Sequence, residues 1–205
     1  DKLVANNTAV ITCNETHHPS GMLLPLESHT IQSERFRAQI EASEPLKKQL
    51  WQQTVKAKIN NQAAVFKKWG LGSRLLTNLA ADVKSGDAGN HEAIAAAHYW
   101  QNLLPSAWQF FRKRDGPPPN NLLNYGYAIL RATMARAIAG AGLLPTLGIF
   151  HRNRYNAYCL ADDIMEPYRP FVDVIVRSII DQTSVVDVLT QELKVQLLKL
   201  PTVDV

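Results

Sequence analysis

Two apolar runs near the start of the chain differ in pattern from everything that follows. Ala9–Cys13 and Gly21–Leu26 flank a His-His-Pro-Ser-Gly turn, which predicts two strands. Two short strands do not make a stable sheet alone, so we expect residues 1–30 to be the tail of a mostly missing N-terminal β domain and its linker. From about Ser33 the apolar spacing becomes helical, and residues 31–205 predict an α-helical domain. The predicted fold class is therefore mainly α, with a β remnant in front.

Capping residues and glycines divide the helical part into segments. Pro45 fits the first turn of the longest predicted helix. Asp87 or Asn90 can cap a helix that runs to about Leu104, and Gly142 suits the end of a helix over Leu122–Ala141. The apolar stripe of the longest helix consists of Leu46, Leu50, Trp51, Val55, Ile59, Ala63 and Phe66. Further helices are predicted from Ser33, over residues 75–84, around His151, from Asp163, and over Val185–Leu200.

Composition is that of a folded globular protein with a mild basic excess. Of the 205 residues, 46% are hydrophobic and 20% charged, and the net charge of +4 favours a polyanionic partner. Cys13 and Cys159 lie in apolar runs without a CxxC spacing, which argues against a disulfide framework or a zinc site and favours the cytoplasm. No apolar run approaches the ~20 residues of a membrane span, so we expect no membrane partner.

Four side chains with affinity for metals stand in apolar or aromatic surroundings: Glu92, His151, Asp163 and Glu166. A carboxylate is costly to bury unless it is paired, protonated or metal-bound. Simpler explanations exist for each: Glu92 suits a helix start, and a single histidine after an apolar run is usually structural. Asp163 and Glu166, three residues apart, can point at one spot. If these groups meet, they predict a site for a hard cation.

Basic residues accompany these candidates. Arg112, Lys113 and Arg114 begin a proline-rich loop that is either simply solvated or in contact with phosphates. The other basic candidates are Arg152, Arg154 and Arg169, which stand beside the proposed ligands and can neutralise carboxylates or bind substrate phosphates.

Four segments together resemble the CRISPR-associated spacer-acquisition integrases, the metal-dependent nucleases of the adaptation complex, and most closely their type II-C members. The segments are EAIAAAHYW from Glu92, NNLLNYGYAIL from Asn120, LGIFHRNRYN around His151, and LADDIMEPYRPFVD from Leu160. The resemblance implies a β-sandwich-like N-terminal domain, of which this chain holds only the tail, and a helical catalytic domain. It also implies that Glu92, His151 and Glu166 bind Mg²⁺ or Mn²⁺, with Asp163 as an auxiliary acid.

The same resemblance implies an activity and partners. Such integrases join the 3′-hydroxyl of a short DNA to a phosphodiester of the CRISPR repeat by transesterification. They act on double-stranded and branched DNA, as homodimers, with a small ferredoxin-like partner. Two alternatives stay open: a non-catalytic DNA-binding or scaffold subunit whose acids are helix caps, and an unrelated helical metal-dependent nuclease. The integrase hypothesis predicts that Glu92, His151 and Glu166 converge on one cation.

Overall fold

The computed structural model describes residues 2–6, 10–15, 19–23, 29–183 and 186–200. Helices dominate, which confirms the predicted fold class. The strands are β1 (Val10–Cys13) and β2 (Pro19–Leu23). The helices are α1 (Lys2–Ala5), α2 (Gln32–Ile40), α3 (Glu44–Lys68), α4 (Arg74–Asp82), α5 (His91–Leu103), α6 (Asn120–Gly140), α7 (Cys159–Met165), α8 (Arg169–Gln182) and α9 (Gln191–Leu197). Short 3₁₀ turns cover Ser85–Asp87, Ser106–Trp108 and Glu166–Tyr168.

The central element is α3, which packs against α4, α5, α8 and the 3₁₀ turn Glu166–Tyr168. Its start is set by Ser43, whose hydroxyl accepts a hydrogen bond from the Leu46 amide, with Pro45 in the first turn as predicted. The predicted stripe is buried from Trp51 onward, whereas Leu46 and Leu50 are exposed. The 25-residue helix α3 is therefore the element against which most of the neighbouring helices pack.

Helices α6 and α8 pack closely on each other beside α3. A Cβ on Gly126 would lie 2.4 Å from Val172 Cγ1, so only glycine permits this approach. Gly142 has a φ of 69°, as predicted for the residue that follows α6. The main core lies between α3, α5, α6, α8 and α9, and a smaller core joins α6 to α7.

The two strands pair with each other in antiparallel orientation, with Val10 opposite Leu23. Met22 packs on the smaller core, which fixes the hairpin to α6 and α7. Residues 24–28, where the predicted second strand ends, lie outside the described residues. The division into two domains near residue 30 stays a prediction.

Three predicted helices differ from the observed ones. The helix expected around His151 is wrong: residues 143–158 form a loop. The helix expected from Asp163 begins four residues earlier, at Cys159, so Asp163 lies inside α7. The last helix does not fill Val185–Leu200; α9 begins after Thr190, whose hydroxyl accepts from the Leu193 amide, and residues 184–185 are not described. In the parts of the chain that the structure describes, no helix has both the length and the apolar character that a membrane span requires.

Candidate functional site

Glu92 lies in the first turn of α5, but it does not cap that helix. Asp87 does so, because its carboxylate accepts hydrogen bonds from the amides of His91 (2.9 Å) and Glu92 (3.0 Å). The Glu92 carboxylate instead reaches across to α3, where its Oε1 lies 2.6 Å from Lys58 Nζ. A helix-start acid therefore does not account for the position of this side chain.

Glu166 opens the 3₁₀ turn between α7 and α8 and is 5% exposed. Its Oε1 accepts from Arg169 Nε at 2.7 Å and its Oε2 from Lys58 Nζ at 2.6 Å. The turn is tied to α3 by the Asn61 side-chain amide, which donates to the Pro167 carbonyl at 2.7 Å. Burial alone would raise the pKa of Glu166, but Lys58 and Arg169 hold it below its ordinary value, so the side chain is a carboxylate.

Lys58 is the residue that sequence reasoning missed. It stands within the buried stripe of α3 between Val55 and Ile59 and is 8% exposed. Its ammonium donates to both Glu92 and Glu166. Burial alone would lower the pKa of Lys58, but the charges of Glu166 and Glu92 outweigh burial and raise it. The sequence feature that could have pointed to Lys58 is a lysine within an otherwise apolar helical stripe, since lysine is almost never fully buried without a partner.

His151 is held by Asp163. Its Nδ1 lies 2.5 Å from Asp163 Oδ1, and the fully buried Asp163 carboxylate also accepts the backbone amides of Ile149 (2.6 Å), Phe150 (2.9 Å) and His151 (3.2 Å). These bonds replace the helix that the sequence suggested. Gly148 permits the arrangement, because a Cβ there would lie 2.3 Å from the His151 carbonyl oxygen. Asp163 is thus the anchor of the loop.

Aromatic rings complete the support of the imidazole. Phe150 stacks on Trp51 of α3 with ring centroids 4.3 Å apart, and His151 meets the edge of Trp51 at 6.0 Å. The His151 side chain is nevertheless 43% exposed, so it is not a core histidine. Its hydrogen bond to Asp163 raises the pKa of His151, against the lowering effect of partial burial.

The predicted convergence is met by two of the three residues. Glu92 and Glu166 share one ammonium, whereas the nearest acid to His151 is Asp163, although the charge of Glu166 also acts on the imidazole. Among the described residues, no three His, Cys, Asp or Glu side chains are arranged to hold a metal ion. The oxygens still suit a hard cation, because both carboxylates already point at one positively charged group.

Two of the candidate DNA-binding arginines make internal contacts. Arg169 binds Glu166 and lies over the Tyr127 ring, 4.6 Å from its centroid. Arg112 lies over the same ring at 5.3 Å and donates to the Asn120 and Asn124 side chains.

The Tyr127 hydroxyl donates to the buried Asp173 at 2.5 Å. Burial raises the pKa of Asp173 to about 7, although Tyr127 and the neighbouring Tyr99 oppose this rise.

The other four basic candidates are exposed: Lys113, Arg114, Arg152 and Arg154. Arg152 donates to Glu44 at 2.6 Å, but both side chains are more than half exposed, so this pair is easily exchanged for a phosphate. An open groove of about 1100 Å³ adjoins Arg152, Arg154 and His151 and has largely apolar walls. The imidazole of His151 is thus accessible to a large ligand from the groove.

Comparisons with known proteins agree on one family. The family described as CRISPR associated protein Cas1 matches residues 1–198. A CRISPR-associated endonuclease Cas1 from Neisseria meningitidis serogroup C (strain 8013) is 42% identical over 199 residues, which are 96% of this chain and 64% of the relative. This chain thus spans less than two thirds of that relative's length.

Solved structures share the fold. A chain of a casposase bound to integration product has a TM-score of 0.76 at 23% identity, over 98% of this chain and 64% of that one. A chain of a Cas6-RT-Cas1–Cas2 complex has a TM-score of 0.65 at 27% identity, over 90% of this chain and 22% of that one. On the family match and the 42% identity, this chain belongs to the Cas1 family of CRISPR-associated proteins.

Proposed function

We propose that this chain carries the catalytic centre of a metal-dependent DNA endonuclease and integrase of CRISPR adaptation. The observation that carries the proposal is the pair Glu92 and Glu166, which arrive from helical segments far apart in sequence and point at one cationic group. The relative from Neisseria is named an endonuclease, and the casposase structure is described with an integration product, which supports phosphodiester chemistry. Family membership sets aside the unrelated helical nuclease.

The residues fit Mg²⁺ or Mn²⁺. Carboxylates from Glu92 and Glu166 suit a hard cation, and the Asp163–His151 bond is the carboxylate–histidine pair that commonly supports a metal-binding imidazole. Because Asp163 engages Nδ1, Nε2 is the nitrogen that remains for a ligand or a proton. When bound, the cation would polarise a phosphodiester and offset the charge that develops on its oxygens.

The chain's own residues would then perform the remaining tasks. His151 would be a cation ligand first and a proton carrier second, with its ring direction fixed by Asp163 and Trp51. Arg152 and Arg154, at the edge of the groove, would hold the DNA backbone rather than read its bases. The reaction would join a 3′-hydroxyl to a phosphodiester of double-stranded or branched DNA, so one phosphodiester bond forms as another breaks.

Partners follow from the same proposal. The similarity to a chain of the Cas6-RT-Cas1–Cas2 complex supports a Cas2-like partner. We further infer that this partner is small and ferredoxin-like, and that the chain acts as a homodimer in the cytoplasm. The competing role is a non-catalytic DNA-binding or scaffold subunit, in which Glu92, Glu166 and Lys58 form a structural ion-pair network.

The decisive experiment replaces His151 with alanine. Since its side chain is 43% exposed, the variant should keep its melting temperature and most of its DNA affinity. Strand transfer on branched DNA should fall by more than about a hundredfold, because loss of even an outer-shell partner of a metal costs about 10–100-fold. Excess Mn²⁺ should restore part of the activity, since both carboxylates remain.

The control is His98→Ala, a histidine on α5 that contacts Phe66 and Asn102 and has no part in the site. Full activity in His151→Ala would remove His151 from the mechanism. Absence of strand transfer in the wild-type chain under all metal conditions would favour the scaffold role instead.

The loop residues Lys113 and Arg114 are predicted to contact DNA phosphates. Reversing both charges, K113E with R114E, should weaken binding of all sequences alike and reduce the slope of log affinity against log salt by about two. Arg112 stays unchanged because it holds the loop to Asn120 and Asn124. A salt titration measures the effect, with Lys67→Glu on α3 as the control. An unchanged slope would show that the loop is merely solvated.

A further inference from the structure

Lys58 occupies the place where the two carboxylates of the candidate site meet. Its Nζ lies 2.6 Å from Glu92 Oε1 and 2.6 Å from Glu166 Oε2. Ammonium is only a donor, so both contacts are charge-assisted hydrogen bonds to carboxylate oxygens. The side chain comes from the middle of α3, whose backbone packs against α4, α5 and α8.

The charges of this cluster already balance. Glu92 and Glu166 contribute two negative charges, and Lys58 and Arg169 contribute two positive ones through direct contacts. This partly buried cluster is neutral, so it has no excess negative charge that a further cation would neutralise. A divalent cation entering here must therefore take oxygens from a group that already neutralises them.

Ammonium and metal cannot both use the same position. A hard cation binds carboxylate oxygens at about 2.0–2.6 Å, and Lys58 Nζ is already 2.6 Å from one oxygen of each acid. Two cations placed a few ångströms apart would also repel each other, even at the effective dielectric of a protein surface. Arg169 differs, because it holds the other oxygen of Glu166 and need not move.

We propose that Lys58 is a built-in competitor of the divalent cation, an inference that rests on the proposed function. In the cation-free protein the ammonium holds Glu92 and Glu166 together and prevents their mutual repulsion. When the cation binds, Lys58 releases at least one carboxylate and its side chain turns aside. Lys58 thereby sets the cation affinity of the site.

The test compares Lys58→Met with the wild-type chain. Methionine keeps the length and helix preference of the stem and removes the charge. In calorimetric titration with Mn²⁺ alone, the dissociation constant of Mn²⁺ should fall by at least about tenfold. The reason is that the variant lacks the ammonium, which repels the cation and competes with it for the carboxylates. Without metal the melting temperature should fall, and saturating Mn²⁺ should raise it by more than in the wild type. Lys67→Met, an exposed position on the same helix, should behave as the wild type.

The opposite role predicts the opposite result. If Lys58 served only to position the carboxylates, its loss would let them separate, and Mn²⁺ affinity would weaken or stay unchanged; either outcome overturns the proposal. If Lys58→Met fails to fold, Lys58→Gln takes its place, since the amide can still donate to the acids without carrying a charge. Tighter Mn²⁺ binding by that variant supports competition, and equal or weaker binding overturns it.

A further pair of variants separates this proposal from the metal proposal itself. Glu92→Gln and Glu166→Gln should each abolish Mn²⁺ binding if the acids are ligands, whatever Lys58 does. Binding by Lys58→Met but not by the wild type would support competition. Absence of Mn²⁺ binding in every protein would overturn both proposals. Loss of binding only in the glutamine variants would support the metal site. The Mn²⁺ affinity of Lys58→Met relative to the wild type would then support or overturn the competitor role of Lys58.

Discussion

Asp163→Ala should destabilise the protein more than the other acidic substitutions of the site and should also abolish strand transfer. The buried carboxylate accepts three backbone amides and the His151 ring nitrogen. Alanine would leave those backbone amides without an acceptor, and each buried donor that loses its partner costs about 1–3 kcal/mol. His151 would then lose both its orientation and its edge contact with Trp51, so activity should be lost even in the molecules that stay folded.

Denaturant unfolding at constant pH measures the first effect, and strand transfer on branched DNA well below the melting temperature measures the second. Asp163→Asn should lie between the alanine variant and the wild type, because its amide oxygen can still accept part of the same bonds. Asp115→Ala, in the exposed basic loop, is the matched control and should change the free energy of unfolding by less than about 0.5 kcal/mol. A wild-type loop and activity in Asp163→Ala would refute the anchor role.

Asp173→Asn should stabilise the protein at alkaline pH. Burial raises the pKa of Asp173 from its ordinary 3.8 to about 7 in the folded chain. The protonated Asp173 carboxyl therefore contributes its full stabilisation at a pH below 3.8, the pKa of the unfolded chain. This stabilisation is lost as the pH rises through about 7, the pKa of the folded chain. For this group alone the loss amounts to about 4 kcal/mol, at 1.4 kcal/mol per pKa unit. Asparagine is neutral throughout and can still accept the Tyr127 hydroxyl.

The measurement is the free energy of unfolding of both proteins between pH 4 and pH 8. The variant should gain relative to the wild type as the pH rises, and the gain should level off above pH 7. The pKa of Glu166 is lowered by Lys58 and Arg169 against the effect of burial, so its contribution is lost as the pH falls; this occurs in both proteins and cancels in the difference. A difference that does not change with pH would show that Asp173 is ionised in the folded chain throughout.

Local signals predicted the helical frame well. Ser43 and Pro45 lie at the start of α3, and the stripe from Trp51 to Phe66 is buried, because capping and amphipathic spacing act within a few residues. Asp87 was a correct candidate cap for the same reason. The predicted helix around His151 is wrong because the backbone amides there donate to the Asp163 carboxylate of α7 instead of to a helix carbonyl. No pattern within the loop reveals Asp163 as the acceptor.

Sequence reasoning named the two acids that meet in the folded chain, but it did not name the lysine that joins them. Glu92 and Glu166 came from the family resemblance, and the structure brings them together. Lys58 was overlooked since its neighbours Val55 and Ile59 made the stripe read as purely apolar. The contacts of Arg112 and Arg169 also depend on a residue distant in sequence, Tyr127, because both guanidinium groups lie over its ring only in the folded chain.

The separation in sequence of the partners of Lys58 has a consequence for the order of events during synthesis. Glu92 follows Lys58 by 34 residues, but Glu166 follows it by 108. A nascent chain that has not yet reached the 3₁₀ turn after α7 can form helices, yet it has only one of the two carboxylates. The two carboxylates can therefore be joined by Lys58 only after the turn that carries Glu166 has been synthesised and has packed on α3, and they separate again when that turn leaves α3.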